Sequence, residues 1–85
     1  MQVIYKYPLL SDQSFIDLPL GARPLCVQLQ RGVPCIWALF DPQEKTLERH
    51  PLYIVPTGQP FDMPNCTYVG TVQFPTGGVY HFFLR

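Results

Sequence analysis

Charge is scarce in this chain. Asp, Glu, Lys and Arg make up 14% of its 85 residues, against about a quarter in an average globular domain. The six basic and six acidic residues cancel, and the most charged stretch, Asp41 to Arg49, mixes both signs. A duplex-DNA binder needs a basic face to displace counterions from phosphates, so direct binding to duplex DNA is not expected. The usual basis for holding a protein on an anionic membrane surface is missing too. No apolar run approaches the roughly 20 residues of a membrane span. The N-terminus, Met1-Gln2-Val3-Ile4-Tyr5-Lys6-Tyr7-Pro8, alternates and has no apolar core of a secretion signal. The expected location is the cytoplasm in which the chain is made.

Chemistry-bearing groups are equally sparse. There are two histidines, His50 and His81, and no C-x₂-C or H-x₃-H spacing that would hold a metal. Gly77-Gly78 runs into a strand pattern with no following lysine and helix, so it is not a phosphate loop. The carboxylates stand singly and suggest no acid–base pair. For His81, between Tyr80 and Phe82, the expectation is a strand residue facing solvent or bonding a neighbour. The three cysteines are an odd number and a poor disulfide framework. Cys26 and Cys35 lie in apolar runs and read as buried structural thiols, with Cys66 the most exposed. No cofactor, metal or catalytic residue is expected, and the chain reads as a binding protein rather than an enzyme.

What the sequence has in excess is proline, ten residues spread evenly along the chain. No long helix survives that spacing, because each proline removes a donor and clashes with the preceding turn. Between the prolines lie short runs rich in Val, Ile, Tyr, Phe and Trp, the mark of strands. Seven strands are predicted, at about Val3–Tyr7, Ser14–Leu18, Leu25–Gln30, Cys35–Phe40, Leu52–Val55, Tyr68–Phe74 and Val79–Leu84. One short helical turn fits within Pro42–Glu48. The predicted fold is a single all-β domain, an antiparallel sheet of about seven strands curled into a small sandwich or partly open barrel. Arg31-Gly32 suits a two-residue hairpin loop. That register sets Cys26 opposite Trp37 and Gln28 opposite Cys35, leaving the two thiols diagonal and beyond disulfide reach. The fourth strand is apolar on both faces, so it is expected to be central and covered on both sides, with Trp37 in the core.

The segment that most resembles a site is the long loop opening with Thr57-Gly58-Gln59-Pro60-Phe61-Asp62. Connections of this length are usually functional or mobile. Gly58 lets the backbone approach a partner, and Phe61 offers apolar area where no strand demands it. Thr57, Gly58, Gln59, Phe61 and Asp62 are therefore the candidate binding residues. The alternative is a plain crossover loop whose Phe61 folds back as a plug. The strand edges near Tyr5 and Tyr80 are the reserve surface.

Five segments taken in order carry a resemblance. They are Ile4 to Pro8, Leu18 to Ala22, Cys35 to Pro42, Tyr53 to Val55 with Thr57-Gly58, and Tyr68 to Gln73, followed by the aromatic strand Val79 to Phe83. This series resembles a family of small proteins encoded by tailed bacteriophages and prophages, over nearly the whole chain. Where that family's loop usually reads Gly-Thr-Gly-His-Pro, this chain has Pro56-Thr57-Gly58-Gln59-Pro60, so any role of that histidine is not carried over. The resemblance implies context and no reaction: small phage accessory proteins often bind host components, and anti-CRISPR proteins are of this size and often non-enzymatic. The expected function is that of a phage-encoded protein that binds and inhibits a host protein, a CRISPR effector or another defence factor, in the bacterial cytoplasm. One alternative is a protein that sequesters a nucleotide signal, with the loop and nearby rings holding base and phosphates. Another is a structural or housekeeping phage protein.

Overall fold

A computed structural model describes residues 1–85. It contains seven strands and no helix: β1 Val3–Pro8, β2 Phe15–Pro19, β3 Arg23–Gln30, β4 Val33–Phe40, β5 Leu47–Pro56, β6 Thr67–Gln73 and β7 Val79–Leu84. They form two antiparallel sheets that do not close into a barrel. One has the order β1-β4-β3, the other β2-β5-β7-β6.

The β3–β4 hairpin follows from its turn. Arg31 and Gly32 both adopt positive φ, 53° and 80°, the pairing whose twist matches that of the flanking strands. It locks Cys26 opposite Trp37 and Gln28 opposite Cys35, as the sequence predicts. The three cysteines are free. Cys35 is buried and Cys26 is half-buried, so only the first fully meets its expectation. Cys66 is also half-buried, not the open residue expected.

The core lies between the sheets. Val27, Ile36 and Ala38 from one sheet meet Ile16, Leu18, Leu52, Val69, Val72, Phe82 and Leu84 from the other. β2, β4 and β7 contribute alternate residues to this face, whereas a bulge between Tyr68 and Gly70 sets Val69 and Val72 of β6 three positions apart. Along the seam where β3 and β6 meet, Gly70 permits the contact: a Cβ there would lie 2.9 Å from Val27 Cγ1 and 3.3 Å from the Val27 amide nitrogen.

Two expectations are corrected. First, β5 begins at Leu47, not Leu52, and Pro42–Glu48 holds a plain turn at Pro42–Gln43, closed by the Glu44 amide donating to the Asp41 carbonyl at 2.9 Å, with no helical turn. The polar segment Glu48-Arg49-His50 pairs with β2, and Asp17 opposite Arg49 supplies a two-point ion pair with N–O distances of 2.9 and 3.1 Å. Arg49 also stacks on Phe15, its guanidinium carbon 3.8 Å from the ring centre. Second, β4 is central in its sheet but covered on one face only. Ile36 and Ala38 are fully buried, whereas Trp37 points outward and is half-buried. A two-layer sandwich has no third layer for that side. Cys35 on the same outer face is nonetheless 2% exposed. A Lys6 Nζ–Gln30 Oε1 hydrogen bond joins β1 to β3 across β4 and helps to cover it.

Candidate functional site

The outer face of the four-stranded sheet carries the predicted loop. The register of β5, β6 and β7 sets Tyr53 beside Phe83, Phe83 beside Tyr68, Val55 beside His81, and His81 beside Thr71. All of these point away from the core. Onto them folds the loop that leaves β5 at Pro56. Phe61 lies 4.6 Å from Phe83 and 6.0 Å from Tyr53, centre to centre, and Phe83 lies 5.5 Å from Tyr68. These separations are those of favourable aromatic pairs. Val55, although it points outward, is buried at 7%, which fits a loop folded back over this end of the face.

The loop is rooted by a chain of hydroxyls around His81. Thr57 Oγ1 is 2.8 Å from His81 Nε2, Thr71 Oγ1 is 2.8 Å from His81 Nδ1, and the Tyr68 hydroxyl is 2.6 Å from Thr71 Oγ1. Thr57 Oγ1 also lies 3.4 Å from the Val79 carbonyl. One proton arrangement satisfies every member. Tyr68 donates to Thr71, Thr71 to Nδ1, the Nε2–H to Thr57, and Thr57 to the Val79 carbonyl. The expectation that His81 bonds its neighbours is met. No carboxylate touches the imidazole, so the group that orients a catalytic histidine in a triad is not in place.

The predicted residues divide into two sets. Thr57 and Phe61 are brought to one surface with His81 and the aromatic rings, and Phe61 does so as a lid on the sheet, half-buried. Gly58, Gln59 and Asp62 are exposed, and the Gln59 amide closes the turn by donating to the Pro56 carbonyl. Tyr53, Tyr68, Thr71 and Phe83 were not singled out from sequence. Period-two alternation along β7 does place His81 and Phe83 on one face, and that is the signal that points to them. His50 lies within β5. Its Nδ1 is 3.3 Å from the Arg85 carbonyl, and its Nε2 is 3.3 Å from Glu48 Oε1 without hydrogen-bond geometry.

A second concavity opens between the sheets at the end holding the Leu9–Ser11 loop and the β3–β4 and β6–β7 turns. Its volume is about 680 Å³, and Ile54, Phe74, Tyr80 and Phe82 are among the residues lining it. Every residue lining it is uncharged. No cluster of His, Cys, Asp and Glu is arranged to hold a metal ion.

Comparison with known proteins gives one match. A family model described as "Domain of unknown function (DUF7352)" matches residues 1–85, and the chain belongs to that family. No curated protein and no solved structure matches it.

Proposed function

We propose that this member of the DUF7352 family is a non-enzymatic binding protein that engages a host protein through the outer face of its four-stranded sheet. The observation that carries this reading is the placement of four aromatic rings, Tyr53, Phe61, Tyr68 and Phe83, outside the core on one face. Tyrosine and its aromatic neighbours are the residues on which protein interfaces concentrate affinity. Tyr68 is 57% exposed, and the polar loop residues Gln59 and Asp62 stand beside this apolar centre as a rim. With a net charge of zero, affinity comes from contact and shape rather than long-range steering.

The phage resemblance makes a defence effector, such as a CRISPR nuclease complex, the target class. A nucleotide would have to be held by backbone N–H groups of the Thr57–Asp62 loop or by a cationic side chain. The cleft between the sheets has no cationic side chain, and Arg49 is already held by Asp17 and Phe15. Protein contact is therefore preferred over nucleotide sequestration. The test is phage plating on matched hosts with and without an active defence system, each expressing the protein. Plating restored only in the defended host is the expected result. Equal plating with and without the protein, across defence types, overturns the reading. A nucleotide released from the purified protein on heating replaces it with the sequestration alternative.

A further inference from the structure

Two sheets have four edges, and three of them are at least partly covered: the fourth, β1, is the most open. The β3 and β6 edges abut at Val27 and Gly70. On β2, the ladder with β5 uses the even residues, as the Leu20 N–Thr46 O and Leu52 N–Ser14 O bonds in the same register show. The outward groups are those of Phe15, Asp17 and Pro19. Gln13 Nε2 donates to the Phe15 carbonyl at 2.8 Å, the Ala22 amide donates to the Pro19 carbonyl at 2.9 Å, and Pro19 has no amide hydrogen. Both ends of this edge are capped by its own chain, which leaves only the Phe15 N–H and the N–H and C=O of Asp17, a charged residue that discourages strand pairing.

The β1 edge has no such caps. The Leu9 N–Pro34 O bond fixes the odd residues of β1 as those bonded to β4. The outward groups are then the N–H and C=O of Ile4 and Lys6 and the C=O of Pro8, and no turn, loop or side chain bonds them. Beside them Ile4 and Tyr5 are 55% and 57% exposed. A bare strand edge with apolar side chains is a template for another strand.

We propose that this edge pairs with the same edge of a second copy, antiparallel about a two-fold axis centred on Tyr5. The chemistry of the strand selects both the partner and the register. With Tyr5 opposite Tyr5 of the second copy, Ile4 falls opposite Lys6 of that copy and Lys6 opposite Ile4. Both pairs exchange N–H and C=O in both directions. The Pro8 carbonyl meets the Gln2 amide, so the proline sits where only an acceptor is needed. Shifting the centre to Lys6 sets two ammonium groups opposite one another, which destabilises the pair, and it sets Ile4 against Pro8, which lacks a donor. Centring on Ile4 leaves Lys6 opposite Gln2 and forfeits the Pro8 contact. On the inner side the chosen register stacks Tyr5 on Tyr5 and Val3 on Tyr7, without a charge. Self-complementarity of this kind is what a two-fold interface requires, and it extends the three-stranded sheet to six strands.

The test is native mass spectrometry or sedimentation across a dilution series. The expected species is twice the 9.8 kDa chain at high concentration, dissociating on dilution. The register is read by opposite charges at one exposed site. Ile4→Lys faces Lys6 of the second copy and weakens the dimer about tenfold, whereas Ile4→Glu faces the same lysine and tightens it. The melting temperature of the dilute monomer serves as the folding control. Tyr5→Cys places two thiols at the axis with Cα atoms about 4.5–5.5 Å apart, so this variant crosslinks as a disulfide dimer and the parent does not. A chain that stays at 9.8 kDa throughout, or a dimer in which both Ile4 variants shift affinity in the same direction, overturns the proposal. A monomer that accepts an extended peptide from another protein at β1 also overturns it.

Discussion

The two outer faces of the sandwich are both rich in apolar side chains, yet the chain treats them differently. The three-stranded sheet shows Ile4, Trp37 and Leu39 outward, spanned by the Lys6–Gln30 contact. The four-stranded sheet shows Tyr53, Tyr68 and Phe83, and part of it lies under a loop lidded by Phe61 and rooted on His81. A sheet that merely needs its outer side kept from water can be protected by long polar side chains such as lysine. The loop lays its own aromatic over part of that face and leaves Tyr68 exposed at its margin. This difference is the basis for proposing the aromatic face, and not the Trp37 face, as the contact surface.

The comparison can be sharpened first against the core. Phe82 is 1% exposed at the centre of the inner face, and Phe82→Ala should cost about 3–5 kcal/mol, a large share of a small domain's stability. Urea unfolding measures it. Trp37→Ala should cost less, about 2 kcal/mol, because an outward, half-buried ring loses only part of what a fully buried aromatic loses. A loss equal to that of Phe82→Ala would mean that the Trp37 face is covered and would break the contrast. Phe61→Ala should cost about 1 kcal/mol, the scale of its two ring pairs, while reducing restoration of plating well beyond that loss of stability. Full restoration by the folded variant would make Phe61 a plug and nothing more.

The smallest effect lies at the β2–β5 pairing. The side-chain hydrogen bond from Arg49 holds the Asp17 carboxyl below its ordinary value; desolvation opposes this, and the charge of Arg49, with that of His50, adds to it. A carboxyl depressed in the folded state contributes stability above its unfolded value, near pH 4. That contribution is lost as pH falls through the lower folded value. Both partners are solvent-exposed, so the effect is small. Melting curves of the parent and Asp17→Asn should differ slightly at neutral pH and converge in acid. A difference that grows toward low pH would contradict the assignment.

Much of this arrangement is legible in the sequence where a local signal decides it. Arg31-Gly32 dictates a turn, and the turn dictates the register that sets Cys26 against Trp37. The apolar alternation of β3 and β7 marks their inward residues. What escapes is set by pairs that one segment does not reveal. Glu48-Arg49-His50-Pro51 does not read as a strand, because its partners, Asp17 and Phe15, lie more than thirty positions away. Trp37 reads as core because β4 is apolar on both sides, and only the count of layers shows that one side is open. Phe61 is visible as a ring without a strand to hold it. Its seat on Phe83 and the tether of Thr57 to His81 depend on three segments meeting.

The aromatic face, and not the Trp37 face, is the surface proposed to meet the partner. Tyr68→Ala and Trp37→Ala, compared in the same plating assay with folding checked by thermal melting, test that proposal most directly. Tyr68 is exposed, so its loss should change stability by less than about 1 kcal/mol. Tyr68→Ala should stay folded and lose restoration of plating at least tenfold, while Trp37→Ala should be less stable and keep its activity per folded molecule. A folded Tyr68→Ala with full activity, beside a folded Trp37→Ala with none, would contradict it.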